Sequence, residues 1–355
     1  MQNTENISVT VIVPCRNEIR HIRAFLESAM RQNLAGIDLE ILVADGMSAD
    51  GTREILEEYE RICPALRVID NPREIVSTGL NAAIRQARGE IIVRMDAHTE
   101  YAPDYIRACV QTLHESRADN VGGPALTRAD GYLAQAIARG FHSKFVSGGA
   151  RFHDPQYIGY VDTVTYGCWR KSTLLRLGLF DERLYRSQDS ELNLRIRSAG
   201  GKIWQSSKIK SWYWPRPTLA ALFRQYFQYG FWKVAVIRKH GKPASWRNLV
   251  PGASLLFALA LLTGVGCAWL AGSTWWESEF LNILISLASL YIAVSIGAAV
   301  IEGWRTGRRF IFVLPLVFAT YHLSYALGFS LALAYRPPAW DRSSYLRKLL
   351  TAITR

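Results

Sequence analysis

Val9-Thr10-Val11-Ile12-Val13-Pro14-Cys15-Arg16-Asn17-Glu18 begins as a short apolar run rich in β-branched residues, ends that run at a proline and passes into a polar turn. Such a run reads as a buried strand and the turn as the loop that follows it. The same alternation continues downstream. Residues 22–31 carry helical spacing (Ile22, Phe25, Leu26, Ala29, Met30) and 39–44 form a second apolar run. Residues 52–60 are helical, with Ser48 or Asp50 as the N-cap, 67–70 are a third strand, 79–88 a helix closed by Gly89, and 90–95 a fourth strand. Strand–helix alternation of this kind predicts an α/β fold, a mainly parallel sheet with helices on both faces. Ligands of such sheets bind beyond the carboxyl ends of the strands, where Asp45 and Asp96 stand.

The first turn also excludes two nucleotide-binding classes. A dinucleotide-binding dehydrogenase needs a glycine-rich turn after its first strand. Here the turn has no glycine, and a Walker-type phosphate loop is absent.

The formal net charge of +12 on 355 residues conceals a division. Residues 1–201 carry 24 Lys/Arg against 26 Asp/Glu, whereas 202–355 carry 18 against 4. A nucleic-acid binder places its basic patch on the folded domain. Here the positive charge borders long apolar runs, which points to anionic lipid headgroups and away from nucleic acid. The cysteines (Cys15, Cys63, Cys109, Cys168, Cys267) are dispersed with no CxxC spacing, which argues against a disulfide framework and structural zinc. The N-terminal residues carry no secretory-signal pattern.

Residues 249–272, 280–301 and 310–334 lack Asp, Glu, Lys and Arg throughout. Each exceeds the roughly 20 residues that cross about 30 Å of hydrocarbon. The loop 272–279 has no Lys or Arg, while 302–309 has three Arg, so the first is expected outside and the second in the cytosol, with the catalytic part. The tail is basic (Arg336, Arg342, Arg347, Lys348, Arg355). That favours a bent or re-entrant third segment near Pro315 and Gly328 that returns the tail to the cytosol. Residues 202–247 hold ten Lys/Arg, no Asp or Glu, and five Trp, and 219–236 has helical spacing. This reads as a basic interfacial helix. The expected organisation is therefore 1–210 catalytic, 211–248 interfacial, 249–334 membrane-embedded and 335–355 a basic tail.

Chemistry concentrates in four places. Asp45-Gly46-Met47-Ser48-Ala49-Asp50-Gly51-Thr52 offers a strand-end carboxylate for base or ribose hydrogen bonds, or simply a turn feeding a helix cap. In Arg94-Met95-Asp96-Ala97-His98, Asp96 and His98 project to one side of an extended segment. The pair can share a divalent cation, the natural means of neutralising a departing diphosphate, or one can bind metal and the other sugar, or Asp96 can be a plain strand-end carboxylate with an unrelated histidine. Ser187-Gln188-Asp189 opens a helix stopped by Gly200-Gly201. A carboxylate at a helix N-terminus is favoured in its ionised form, so Asp189 can accept a proton from a hydroxyl, or serve only as a cap.

Together, and in this order, the Val11–Glu18, Asp45–Thr52, Arg94–His98 and Gln188-Asp189 motifs resemble inverting family 2 glycosyltransferases with the GT-A fold. The resemblance spans residues 8–235 and is strongest to bacterial exopolysaccharide transferases of the succinoglycan-biosynthesis type, where the D-A-H motif and C-terminal membrane helices also occur. His322-Leu323-Ser324-Tyr325 looks like part of that subgroup. The resemblance implies a Rossmann-like GT-A domain followed by transmembrane helices, in a multi-pass protein of the bacterial inner membrane with a cytoplasmic catalytic domain. It implies that Pro14, Asn17, Glu18, Asp45 and Asp96 hold the nucleotide, that Asp96 and His98 bind Mn²⁺ or Mg²⁺, and that Asp189 is the base. Tyr166 and Gly167 fall where the family lines its acceptor site, beside Gln188. Arg224, Gln225 and Gln228 fall where processive members carry Q-x-x-R-W, and Gln228-Tyr229 in place of Arg-Trp argues against processive synthesis.

The reading that results is transfer of one sugar from a nucleotide sugar, UDP-linked by default, to a hydroxyl of a lipid-linked (polyprenyl diphosphate) glycan in exopolysaccharide synthesis. Its rivals are a polyprenyl-phosphate glycosyltransferase, a processive synthase, and a membrane scaffold that has lost catalysis.

Overall fold

The computed structural model describes residues 6–335, so tail residues 336–355 lie outside the described residues. The chain divides into two compact units. One runs to Arg128 and resumes over Arg151–Trp214, and the other combines Ala129–Ala150 with the chain from Pro215 onward.

Eleven strands among the described residues all lie in the first unit. They are β1 (Ile7–Cys15), β2 (Ile37–Asp45), β3 (Leu66–Asp70), β4 (Ile91–Arg94), β5 (Glu100–Tyr101), β6 (Asn120–Gly123), β7 (Leu126–Thr127), β8 (Gly159–Tyr160), β9 (Thr165–Arg170), β10 (Ile203–Gln205) and β11 (Ser211–Tyr213). The helices in chain order are α1 (Ile22–Met30), α2 (Thr52–Ile62), α3 (Val76–Gln86), α4 (Tyr105–Ser116), α5 (Tyr132–His142), α6 (Lys144–Ser147), α7 (Lys171–Arg176), α8 (Gln188–Ser198), α9 (Leu219–His240), α10 (Val250–Leu270), α11 (Thr274–Thr306) and α12 (Leu314–Ala334).

The main sheet has the order β3-β2-β1-β4-β9-β6-β10-β8. Strands β3, β2, β1 and β4 run parallel, as the sequence predicts, and β6 runs parallel to β10. The sheet is nevertheless mixed, because β9 enters antiparallel between β4 and β6, and β8 closes the edge antiparallel to β10. A continuous apolar strand is explained by burial on both faces. Val9, Val11 and Val13 of β1 join one apolar layer with Ile22 and Phe25 of α1, and Ile12 joins the opposite layer with Leu80 and Ile84 of α3. Strand order reverses direction at β1, with β2 on one side and β4 on the other. That is the switch point where open α/β sheets bind ligands.

β5, β11 and β7 form a small second sheet. Because β11 pairs with both neighbours, residues 211–214 belong to the first unit and not to the interfacial region expected from residue 211.

In the second unit, α10, α11 and α12 are long and apolar enough to cross a membrane. They differ in packing: 44% of the most apolar window of α12 is buried within the protein, against 11% in each of the others. The bend expected near Pro315 and Gly328 is replaced by one helix over Leu314–Ala334. Pro315 stands in its first turn, where a missing N–H costs nothing. Gly328 serves packing instead. A Cβ there would land on the carbonyl oxygen of Phe227 in α9, and a Cβ on Gly230 of α9 would land on that of Tyr325. The two backbones touch at reciprocal glycines, a contact open only to residues without side chains. Gly328→Ala is therefore expected to destabilise the detergent-solubilised protein by about 1–3 kcal/mol, read as a lower Tm. Gly297→Ala in α11, where a Cβ meets nothing within 4 Å, is the control and should stay within about 0.5 kcal/mol of the parent.

The segment Ala129–Ala150 packs on these helices, a partnership not expected from the sequence. Tyr321 donates from its hydroxyl to the Ile137 carbonyl (3.0 Å), and the Arg139 guanidinium lies 3.9 Å from the Phe310 ring centroid. His322 Nε2 bonds the Phe145 carbonyl (3.2 Å), leaving Nδ1 to accept from the Tyr291 hydroxyl (3.1 Å). A part-buried backbone oxygen and an imidazole on an apolar helix thereby satisfy each other.

Candidate active site

The loops after β1 and β2 are stitched together at the carboxyl ends of their strands. Asn17 adopts a left-handed backbone (φ 54), its N–H donates to Ser48 Oγ (2.9 Å), and its Oδ1 accepts from the Ala49 N–H (3.0 Å). The Glu18 N–H donates to Thr52 Oγ1 (2.8 Å), the Ile19 N–H to Asp50 Oδ2 (3.2 Å), and the Gly46 N–H to the Cys15 carbonyl (2.8 Å). Ser48 Oγ donates onward to Asp45 Oδ1 (2.5 Å). Asp45 is 1% exposed, pairs across the strands with Cys15 and Asp70, and meets Arg53 Nη1 at 3.5 Å. Pro14, Asn17, Glu18 and Asp45 are thus gathered in one place, with Asp45 also capping its own turn.

Asp96 follows β4, and its backbone N–H donates to the Tyr101 hydroxyl (2.6 Å). His98 Nδ1 meets Glu18 Oε1 at 3.1 Å, so the β4 end touches the β1 loop. Tyr166, with a left-handed backbone (φ 61), reaches the Thr99 hydroxyl through its own (2.5 Å). Gly167 beside it has φ 108, and a Cβ there would strike the Trp169 ring. Two consecutive positive-φ residues mark a constrained kink within β9, of the kind held in place at functional sites.

Asp189 stands in the first turn of α8. The helix is anchored by Leu192 and Ile196 in the apolar layer and by Arg195, which reaches the carbonyls of Leu177 and Leu179. Arg94 connects this helix to β4. Its Nε and Nη2 donate to Asp96 Oδ1 (3.0 Å) and Oδ2 (3.2 Å), and its Nη1 forms an ion pair with Asp189 Oδ1. Burial opposes the Arg94 charge, but Asp189 and Asp96 outweigh it and hold the pKa above its ordinary value. About a third of the Asp189 side chain is open, yet protein crowding around the carboxyl lifts its pKa; Arg94 opposes the lift and Asp96 adds to it. The preference of the helix N-terminus for a charged carboxylate is therefore outweighed.

Asp96, His98, Glu18, Tyr166, Gln188 and Asp189 all belong to this first unit. Arg224, Gln225 and Gln228 belong to the second, on α9. Gln228 is fully buried, Gln225 donates to the Tyr229 hydroxyl (3.1 Å), and Arg224 lines an open, mostly apolar cleft of about 510 Å³ with Phe223, Phe227 and Thr320. Arg94 is the residue that sequence reasoning missed. Its signal was present: a charged residue at the end of an otherwise apolar strand, two positions before a candidate aspartate.

A family model described as Glycosyl transferase family 2 matches residues 10–182. The succinoglycan biosynthesis protein ExoA of Rhizobium meliloti is 30% identical over 260 residues, covering 73% of this chain and 78% of that protein. The chain belongs to glycosyltransferase family 2. This glycosyltransferase is also 26% identical over 262 residues to the dolichyl N-acetyl-alpha-D-glucosaminyl phosphate 3-beta-D-2,3-diacetamido-2,3-dideoxy-beta-D-glucuronosyltransferase of Methanococcus voltae, covering 72% of this chain and 81% of that enzyme. Its GT-A fold is shared with the mannosyltransferase PcManGT from Pyrobaculum calidifontis, solved with GDP-Man and Mn²⁺, at TM-score 0.54 and 21% identity over 89% of this chain and 86% of that one.

Among the described residues no three His, Cys, Asp or Glu side chains cluster to enclose a metal ion. The donors present still fit a cation that also takes ligands from a diphosphate. Asp96 has carboxylate oxygens that also accept from Arg94, and Glu18 engages His98 at Nδ1, so Nε2 is the ring nitrogen that a cation would use, as in carboxylate–histidine pairs behind metal sites.

Proposed function

We propose that this glycosyltransferase is an inverting, metal-dependent hexosyltransferase that moves one sugar from a UDP-linked or related nucleotide donor to a hydroxyl of a lipid-linked glycan during exopolysaccharide or cell-surface glycan synthesis. The observation that carries the reading is the Asp96–Arg94–Asp189 bridge at the switch point of the sheet. It puts a carboxylate suited to the donor and a carboxylate suited to base catalysis on one guanidinium.

In this mechanism Pro14, Asn17, Glu18 and Asp45 line the nucleoside, and Asp96 with His98 holds the cation, either Mn²⁺ or Mg²⁺. When bound, the cation supplies positive charge against the departing diphosphate. The acceptor oxygen attacks the anomeric carbon from the face opposite the diphosphate, the carbon–oxygen bond to the diphosphate breaks, and Asp189 takes the hydroxyl proton. Tyr166, Gly167 and Gln188 orient the acceptor sugar. The name of the Methanococcus relative, which acts on a dolichyl-phosphate-linked sugar, supports a lipid-linked acceptor. Arg224 serves the acceptor's lipid end, since an apolar cleft with a single cation suits an anionic amphiphile, while Gln225 and Gln228, buried on the same helix, support it from within. The charge asymmetry of the loops supports a catalytic unit on the cytosolic face of a bacterial inner membrane.

The test is a panel of UDP-, GDP- and dTDP-sugars offered to the full chain in detergent, followed by release of the nucleoside diphosphate. Turnover should require a divalent cation, with Mn²⁺ more effective than Mg²⁺ because imidazole is a softer ligand than carboxylate. His98→Asp should keep activity and shift the preference toward Mg²⁺. Full activity in excess chelator overturns the metal assignment, and retention of anomeric configuration in the product, read by NMR, overturns inversion.

A further inference from the structure

The Arg94 guanidinium is costly where it stands. The residue is 4% exposed, and a buried cation is stabilising only when its partners are well placed. Its partners do not need it for solvation, because Asp96 and Asp189 keep 15% and 35% of their side chains open to water. An apolar residue at the end of β4 would complete the strand more cheaply. What the arginine adds is geometry. Three of its nitrogens are committed at once, Nε and Nη2 to Asp96 and Nη1 to Asp189. β4 is fixed by its register with β1 (Arg94 opposite Ile12), and α8 is fixed by the core, so the planar fork spans two rigid elements.

We propose that Arg94 is a positioning residue of the transfer reaction, holding the base Asp189 in register with the donor carboxylate Asp96 through one planar fork. The inference rests on the assignment of Asp189 as the base. Loss of the fork separates the two carboxylates and leaves like charges facing each other with nothing between them. A lysine keeps the charge but not the bidentate geometry, so it is not a conservative replacement here.

The experiment is a double-mutant cycle on the full chain in detergent, with the sugar nucleotide selected in the panel. Arg94→Ala should lower kcat about 100-fold, the low end of what a positioned base contributes. In an Asp189→Asn background the same change should cost less than about threefold, because residues acting through one interaction are not additive. Added guanidinium ion should restore part of the Arg94→Ala rate and none of the Asp189→Asn rate. Arg94→Lys should lose about tenfold in kcat with donor KM little changed, a split that a purely structural role would not produce; it carries the test if the alanine variant does not fold. An equal loss from Arg94→Ala in both backgrounds, or full activity of Arg94→Lys, overturns the proposal. Asp189→Asn retaining its rate overturns the base assignment instead, so the two failures are told apart.

Discussion

Asp189→Asn should lower turnover by at least about 100-fold and leave nucleotide-sugar affinity nearly unchanged. A hydroxyl acceptor has a pKa far above 7, so its proton must be taken as the new bond forms, and a positioned base contributes about 10²–10⁴-fold. Asparagine keeps the shape of the side chain and an oxygen for Arg94, but it has no basic lone pair. A 100-fold loss corresponds to roughly 2.7 kcal/mol of barrier. The parent enzyme should also carry a titration that the variant lacks. Asp189 accepts a proton only when ionised, and its pKa is raised by burial beyond what Arg94 takes back. The rate should therefore rise with pH through a midpoint above the ordinary aspartate value of about 3.9. A pH profile of kcat for both proteins checks this. An Asn variant that binds donor and acceptor and keeps most of its rate removes Asp189 as the base, and an acceptor already ionised, a polyprenyl phosphate, becomes the better reading.

Asp96→Ala should abolish detectable transfer. Two effects act in the same direction. The diphosphate loses the carboxylate assigned to its cation, and Arg94 loses the bidentate partner that directs it, leaving the guanidinium to Asp189 alone. Isothermal titration of the nucleotide with and without Mn²⁺ separates the two: the metal-dependent part of binding should vanish in the variant. Turnover within tenfold of the parent excludes Asp96 from the donor site. The ordering of effects is also informative. His98→Asp preserves a hard ligand and should be mild, whereas Asp96→Ala removes both the ligand and the anchor of Arg94.

Much of the catalytic fold was legible because its code is local. Apolar runs such as 39–44 and helical spacing such as Ile22–Phe25–Leu26–Ala29 declare their elements without tertiary help, and Asp45 and Asp96 stand at strand ends while Asp189 stands at a helix start. What escaped was set by partners distant in sequence. Nothing in Thr165–Arg170 reveals that β9 will run antiparallel between β4 and β6. Nothing in Ala129–Ala150 announces that it packs with α12, because the hydrogen bond that fixes it comes from Tyr321. Pro315 and Gly328 were misread for a related reason: both signal interruption when read locally, yet one opens a helix and the other admits a neighbouring backbone. Arg94 escaped because a charge at a strand end looks like the end of the strand, and only the fold brings Asp189 to it.

The cross-stitching of the β1 and β2 loops has a consequence for time and heat. The backbone amides of Asn17, Glu18, Ile19, Ser48 and Ala49 each already have an oxygen partner from the same pair of loops. A nucleoside arriving there would meet a surface whose conformational entropy was surrendered during folding, so association should be quick and carry little ordering penalty. These five amides should exchange with deuterium slowly even in the empty protein, and donor should slow them little further.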